Sequence, residues 1–241
     1  MIIGGFQRFS LLDYPGHLAA IVFTQGCNFR CPYCHNPELV DPQRYGTQIP
    51  VAEVLEFLKG RKGKLGAVCI TGGEPTLQRG LVDFLQQVRK LGYLIKLDTN
   101  GSNPKVLRQL SQLNLVDYWA MDLKGPLHLY PLLCRSEIDR QNIQESMEIL
   151  RQSGSEYEFR TTFFETLLTW EDIDQVRILL KPGDRFFLQQ CRYEKTLDNL
   201  KPAQPASTRE DGSLHLVEHP SCQSLLDWAG KHQVNIGIRS L

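Results

Sequence analysis

Three cysteines crowd into one short stretch of this 241-residue chain. Cys27, Cys31 and Cys34 are spaced four and three residues apart. This spacing lets one loop wrap an iron–sulfur cube and supply thiolates to three of its irons, which leaves one iron open. The alternative is a zinc ion with His35 as fourth ligand, but a residue adjacent to Cys34 is poorly placed to reach the same metal. The pattern alone favours a cluster over zinc.

The other cysteines are isolated, and the total of seven cannot pair completely within one chain. The first residues lack the features of a secretion signal, which are a basic segment, an apolar stretch and a cleavage site of small residues. We therefore expect reduced thiols and a cytoplasmic location. Cys69 lies in a strand pattern and is expected in the core. Roles for Cys134 and Cys191 depend on whether the fold brings them together. We interpret the grouping of Cys222 with two histidines, His215 and His219, as chance.

Two further loops carry groups that suit ligand binding. Gly72 and Gly73 follow an apolar run, where glycine lets the backbone approach a ligand closely, and Glu74 adds an acceptor. Asp98 and Asp122 each end a predicted strand, and two such carboxylates could share a cation. Taken singly, each of these residues is as easily explained as a turn or cap residue.

Composition excludes several classes of protein. The chain has 27 Lys and Arg against 27 Asp and Glu, and 41% of its residues are apolar. A neutral chain lacks the basic excess that binds nucleic acid without sequence preference. No apolar run approaches the ~20 residues that span a bilayer, and the apolar fraction is too high for a disordered chain. We therefore expect no nucleic-acid partner, no membrane partner and one domain over residues 1–241.

Predicted strands and helices alternate along the chain, which is typical of repeated βα units. Apolar stripes at helical spacing lie between the predicted strands, and Gly92 and Asn103 mark a helix end and a helix start. The predicted strands are Leu18–Thr24, Gly66–Thr71, Tyr93–Thr99, Leu115–Leu123, Tyr157–Thr166, Arg185–Gln190 and Val234–Ile238.

Six βα units are too few for a closed eight-stranded barrel. An incomplete barrel and a doubly wound sheet both fit, and periodicity does not choose between them. Both place ligands at the carboxyl ends of the strands. Residues 192–220 are rich in Pro, Asp and Ser without periodicity, which predicts an irregular functional loop.

The cysteine loop and the double-glycine loop together resemble the radical S-adenosylmethionine (SAM) enzymes, and among them the glycyl-radical-enzyme activating enzymes. The similarity extends over nearly the whole chain. It rests on these stretches: Phe9–Gly16, Gln25–Asn36, Thr71–Pro75, Asp98–Gly101 and Asp122–Lys124.

The resemblance implies a role for each matching residue. Cys27, Cys31 and Cys34 would hold one [4Fe–4S] cluster whose open iron binds the amino and carboxylate groups of SAM. The remaining implied SAM contacts are Tyr33 beside the adenine, Gly72, Gly73 and Glu74 at the methionyl amine, Asp98, Thr99 and Asp122 near the carboxylate with a possible monovalent cation, and the positive charges of Lys124 and Arg160.

The resemblance also implies an α/β fold, an incomplete (β/α)6 TIM-like barrel of the radical SAM type. The implied activity is reductive cleavage of SAM to a 5′-deoxyadenosyl radical that makes a glycyl radical on a partner enzyme. We expect an anaerobic ribonucleotide reductase as partner, with flavodoxin or ferredoxin as electron donor. Gln189–Tyr193 departs from the Pro-Tyr-His run of the formate-lyase activases.

Two alternatives stay open at this point. One keeps the radical SAM core but acts on a small molecule, as 7-carboxy-7-deazaguanine synthase does. The other is a zinc-stabilised binding module without catalysis, which leaves the double-glycine loop and the two aspartates unexplained.

Overall fold

The computed structural model describes residues 1–201 and 220–240. This part of the chain contains eight strands: β1 (Ile3–Ser10), β2 (Ala19–Thr24), β3 (Ala67–Gly72), β4 (Leu94–Thr99), β5 (Tyr118–Asp122), β6 (Glu156–Phe163), β7 (Arg185–Gln190) and β8 (Asn235–Ser240).

The helices alternate with the strands from β2 onward. They are α1 (Pro37–Val40), α2 (Val51–Gly60), α3 (Leu81–Lys90), α4 (Pro104–Gln112), α5 (Tyr130–Cys134), α6 (Arg140–Gln152), α7 (Trp170–Arg177) and α8 (Pro220–His232). No helix among the described residues is long and apolar enough to cross a membrane.

The described chain divides into two compact units. The first comprises Met1–Arg30, Asn36–Met121 and Gln141–Tyr157. In it β1 pairs antiparallel with β2, and β2, β3, β4 and β5 follow in order as parallel neighbours. Because Thr24 pairs with Gly72 and Thr99 with Met121, these strands bring their carboxyl ends to one edge, as parallel ladders must.

The second unit comprises Cys31–His35, Asp122–Arg140 and Glu158–Leu241. Here β6, β7 and β8 are parallel, with Arg160 beside Phe187 and Gln189 beside Arg239. The chain just after β5 runs along β6, since the Leu123 N–H donates to the Arg160 carbonyl at 2.7 Å.

Helix α3 shows how the sequence fixes the helices of the first unit. Leu81, Phe84, Leu85 and Val88 form its buried stripe. The helix ends before Gly92, whose φ of +90° places it in the left-handed region that glycine tolerates. The predicted helix end is therefore confirmed.

The predicted strands all exist, but four are shorter than predicted, two of them by only one residue, and one strand was missed. Leu115 and Val116 stay outside β5 because the Asp117 carboxylate accepts the Ile95 N–H at 2.7 Å and turns the chain there. Strand β6 ends at Phe163, because the N–H groups of Leu167 and Leu168 both donate to the Phe164 carbonyl and close a turn. Strand β1, the missed one, is an irregular edge strand with two register shifts.

The α/β class with a mostly parallel arrangement is confirmed, whereas the (β/α)6 barrel and the single domain over residues 1–241 stay predictions. Of the predicted irregular segment 192–220, residues 192–201 contain neither helix nor strand, and Pro220 begins α8. Residues 202–219, with His215 and His219, lie outside the described residues.

Candidate active site

The Cys27 sulfur sits where two N–H groups point at it. The Phe29 backbone N–H donates to Sγ at 3.3 Å, and the Asn100 side-chain amide lies 3.9 Å away. The Arg30 guanidinium fixes the turn by donating to the Cys27 carbonyl at 2.7 Å. Because N–H groups stabilise a thiolate, this environment suits a sulfur that binds a metal.

Cys31 and Cys34 form a tight turn, in which the Cys34 N–H donates to the Cys31 carbonyl at 3.0 Å. A hydrogen bond from Cys134 lowers the pKa of the Cys31 thiol, burial opposes it, and the nearby Lys124 ammonium lowers it further, to about 7. A thiol with a depressed pKa is ready to ligate as the thiolate.

No three His, Cys, Asp or Glu side chains of residues 1–201 and 220–240 are grouped as ligands of a single metal ion. Thiolates on a cube each bind a different iron, so they need not converge on one point. Metal ligation by the three cysteines therefore stays a prediction.

His35 is bound to the segment after β7. Its Nε2 lies 3.2 Å from the Arg192 N–H and 3.0 Å from the Arg192 carbonyl oxygen, with the Cys191 sulfur 3.5 Å away. Burial lowers the pKa of His35. The alternative of His35 as a zinc ligand gains no support from this position.

Tyr33 is buried rather than presented to a ligand. Its ring stacks on Phe164 with centroids 6.1 Å apart, and Phe164 in turn packs on Tyr193. The buried Tyr33 hydroxyl lies beside the Cys31 thiol and helps to lower the pKa of that thiol. Its predicted place beside adenine stays a prediction.

Gly72 and Gly73 approach the start of the cysteine loop more closely than any other residue type could. A Cβ at Gly73 would lie 2.1 Å from the Gly26 carbonyl oxygen, and one at Gly72 would lie 2.6 Å from the Thr24 nitrogen. The N–H groups of Gly73 and Glu74 donate to the carbonyls of Thr24 and Gly26, each at 2.8 Å. The glycines are thus needed first for packing of protein on protein.

Glu74 is almost completely buried, and its carboxylate binds the protein itself. Oε1 accepts from the backbone N–H of Thr76 (3.0 Å) and from the hydroxyls of Thr76 (2.6 Å) and Thr99 (2.8 Å), while Oε2 accepts the Asn100 N–H at 2.7 Å. Burial raises the pKa of Glu74, and these donors oppose the rise. Glu74, expected at the methionyl amine, here joins the loops after β3 and β4, and the Thr99 hydroxyl is engaged in that junction.

Asp98 also has internal partners. Lys96, two residues earlier on β4, places its ammonium 2.5 Å from Oδ1, and the Thr71 hydroxyl donates to Oδ2 at 3.1 Å. Lys96 was not singled out from the sequence. The signal was available, because a lysine within the apolar run Leu94–Leu97 must bury its ammonium and find a partner.

Asp122 is held by two cations in the second unit. Arg160 Nε donates to Oδ1 at 3.0 Å and Lys124 Nζ to Oδ2 at 2.9 Å. Burial raises the pKa of Asp122, but the charges of Lys124 and Arg160 outweigh it and lower the pKa to about 2. The predicted pair of positive charges is thus placed together, around one carboxylate. On the same strand as Arg160, both oxygens of Glu158 accept hydrogen bonds from the Arg239 guanidinium, at 2.9 and 3.0 Å.

All seven cysteines are free thiols. Cys69 is completely buried within β3, as expected. Cys134 lies beside Cys31, and Cys191 lies beside His35, so the two occupy different surroundings. Cys222 is buried on α8.

The family model described as the radical SAM superfamily matches residues 21–181. A Methanocaldococcus jannaschii protein provisionally named a glycyl-radical enzyme activating enzyme is 28% identical over 88% of this chain and 91% of its own length. The pyruvate formate-lyase-activating enzyme of Clostridium pasteurianum is 32% identical over 51% of this chain and 54% of its own length.

Solved structures show the same fold. The Streptococcus suis SuiB structure bound to S-adenosylmethionine superposes with a TM-score of 0.68 at 14% identity, over 91% of this chain. The anSMEcpe structure with bound AdoMet gives a TM-score of 0.62 at 18% identity, over 90% of this chain. The chain spans 49% and 61% of the lengths of those two chains. With the family match covering more than half of its residues, this chain belongs to the radical SAM superfamily.

Proposed function

We propose that this chain is a radical SAM activating enzyme that generates a glycyl radical on a partner enzyme. The observation that carries the proposal is the similarity to the M. jannaschii activating-enzyme relative, which extends over 88% of this chain and 91% of that protein. A shared domain alone would align over a part of each chain. An alignment close to full length supports a shared activity.

The residues present fit a [4Fe–4S] cluster. Cys27, Cys31 and Cys34 supply three thiols in one loop, the Cys27 sulfur already receives N–H donors, and Cys31 lies near the Lys124 ammonium. Bound with SAM, such a cluster supplies the electron that breaks the S–C5′ bond and yields the 5′-deoxyadenosyl radical. The chain's own residues bind SAM, orient it and shield the radical from water.

The double-glycine loop is proposed to hold the methionyl amine through backbone carbonyls. The N–H groups of Gly73 and Glu74 already donate to the carbonyls of Thr24 and Gly26. An ammonium group needs acceptors, so the carbonyl oxygens of Gly72 and Gly73 are the groups we assign to it. Glu74 acts through this loop by fixing its position against Asn100.

Lys124 and Arg160 are proposed to attract the SAM carboxylate. They share one carboxylate, Asp122, so this group of three side chains keeps an excess of one positive charge. Asp122 holds both cations in place before a ligand arrives, which lowers the cost of ordering them on binding.

We propose an anaerobic ribonucleotide reductase as the partner and flavodoxin or ferredoxin as the electron donor, in the cytoplasm. The departure at Gln189–Tyr193 from the formate-lyase pattern supports the reductase over formate lyase. Two of the relatives are named only as activating enzymes of glycyl-radical enzymes, and a third is named for pyruvate formate-lyase.

The second candidate is a radical SAM reaction on a small molecule. A 7-carboxy-7-deazaguanine synthase of Thermoplasma acidophilum is 36% identical, but over 37% of this chain and 40% of its own length. A match of that extent leaves more than half of each chain unmatched.

The test is anaerobic electron paramagnetic resonance with reconstituted enzyme, SAM and reductant. Addition of the anaerobic ribonucleotide reductase of the same organism should produce a doublet signal on the reductase, with one SAM consumed per radical. The reductase with its radical glycine replaced by Ala is the control and should give no doublet. SAM cleavage that rises with a pterin-like small molecule and never with the reductase contradicts the proposal.

A further inference from the structure

We propose that Lys96 is a built-in counter-ion for Asp98, which takes the place of a bound monovalent metal ion in this chain. The inference rests on the proposed function, because the resemblance to radical SAM enzymes places Asp98 near the SAM carboxylate. It departs from the expectation that a cation sits near Asp98 and Asp122.

The geometry at Asp98 is that of a complete ion pair. The Lys96 ammonium lies 2.5 Å from Oδ1, and the Thr71 hydroxyl donates to Oδ2 at 3.1 Å. The side chains of Lys96 and Asp98 are 5% and 16% exposed, so water screens this pair little. Both oxygens that a metal ion would use are therefore already engaged.

Lys96 is fixed in this position by its surroundings. Residues 96 and 98 of one strand point to the same face, since side chains alternate along a strand. The ammonium also lies 3.7 Å from the Cys69 sulfur and 6.0 Å from the centre of the Tyr118 ring, whose face attracts a cation. A lysine ammonium is a compact point charge, close in kind to a potassium or ammonium ion.

The other aspartate is compensated in the same manner. Asp122 has Arg160 on one oxygen and Lys124 on the other. A cation was expected at Asp98 and Asp122. Each of these carboxylates already accepts a hydrogen bond from at least one cationic side chain. A metal ion would have to displace a lysine or an arginine from a short contact, which disfavours its binding.

We expect the stability and SAM affinity of the unmodified chain to be independent of monovalent metal ions. A requirement for a monovalent cation should appear when Lys96 loses its charge. Melting temperature of the full-length chain, and SAM affinity of the reconstituted enzyme, are measured in tetramethylammonium, sodium, potassium and ammonium chloride at constant ionic strength. The unmodified chain should give the same values in all four salts. Lys96→Met should bind SAM at least tenfold more weakly in tetramethylammonium and regain at least fivefold in potassium or ammonium.

Two further variants keep the test decisive. Lys96→Met with Asp98→Asn removes both charges, so it should fold and show no salt preference even where the single variant is unstable. Lys90→Met removes an exposed lysine of α3 and should behave as the unmodified chain. A saturable rise in melting temperature of the unmodified chain with potassium or sodium overturns the proposal, as does a Lys96→Met chain indifferent to all four salts.

The outcomes separate this inference from the proposed function. An unmodified enzyme that is independent of salt but makes no glycyl radical supports the role of Lys96 and removes the activase. An enzyme that makes the radical but needs potassium supports the activase and overturns the role of Lys96.

Discussion

The Glu74 carboxylate accepts the backbone N–H of Asn100 at 2.7 Å, across 26 residues of sequence. This bond joins the loop after β3 to the loop after β4. Asn100 in turn reaches the Asn28 side chain at 2.9 Å and lies 3.9 Å from the Cys27 sulfur. Glu74 is therefore a positioning residue for the cysteine loop as well as for its own loop.

Removing this carboxylate should loosen both loops. Glu74→Ala leaves four hydrogen bonds without their acceptor in a buried place, so we expect a loss of about 3 kcal/mol in the free energy of unfolding. Urea unfolding of the full chain measures it. Glu137→Ala, at an exposed carboxylate, is the matched control and should change stability by less than about 0.5 kcal/mol. Equal stability of the two variants would refute the positioning role.

Gly73→Ala should affect the cysteine loop as well as SAM binding. From the sequence alone, we expect Gly73→Val to weaken SAM binding while the cluster still assembles. The structure points to an additional effect on the cysteine loop, because a Cβ at Gly73 would meet the Gly26 carbonyl oxygen at 2.1 Å and push that loop.

We therefore expect Gly73→Ala to lower stability by about 2 kcal/mol or more and to reduce iron incorporation together with SAM affinity. Iron content after anaerobic reconstitution, with urea unfolding, measures both effects. Gly60→Ala is the control, since a Cβ there meets open space at a helix end. Full iron content in Gly73→Ala would show that the loops adapt without cost.

Asp122 predicts a specific pH dependence. Its pKa falls from an ordinary 3.8 to about 2 in the folded chain, so its stabilisation is fully present above pH 4 and is lost as pH falls toward 2. At 30% exposure, solvent screening limits the contribution to about 1–2 kcal/mol. Asp122→Asn should be less stable than the unmodified chain at pH 7, and the gap should narrow between pH 4 and pH 3. Urea unfolding at each pH tests this, and a gap that does not change with pH contradicts it.

The cysteines should divide into two groups. Replacing Cys27, Cys31 or Cys34 with Ala should abolish the cluster absorbance and SAM cleavage, because two thiolates hold the cube poorly. Cys222→Ala, at a buried cysteine of α8, is the matched control and should keep the iron content of the unmodified chain. Stoichiometric zinc without iron uptake would instead favour the zinc interpretation.

Sequence patterns predicted the elements better than they predicted the contacts. Arg185–Gln190 was predicted to the residue as β7, because its ends coincide with the change in apolar pattern. Strand β1 was missed because an edge strand with Gly4 and Gly5 and two register shifts has no clean alternation.

The candidate site was predicted in its residues but only partly in their roles. Glu74 follows β3 and Asp98 lies near the carboxyl end of β4, as predicted, yet each is hydrogen-bonded within the protein. Which polar groups pair across loops depends on tertiary packing, and neither periodicity nor spacing contains that information. Lys96 could have been found, because a charged residue in an apolar strand requires a buried partner.

Formation of the glycyl radical is best tested by following the hydrogen atom that leaves the partner glycine. The partner reductase is prepared with glycine deuterated at Cα and incubated with reduced enzyme and SAM, and the 5′-deoxyadenosine is analysed by mass spectrometry. We expect one deuterium in that product, because the 5′-deoxyadenosyl radical takes the atom from the glycine Cα as the C–D bond breaks and the new bond to C5′ forms. Unlabelled 5′-deoxyadenosine, formed at the same rate with and without the partner, would contradict it.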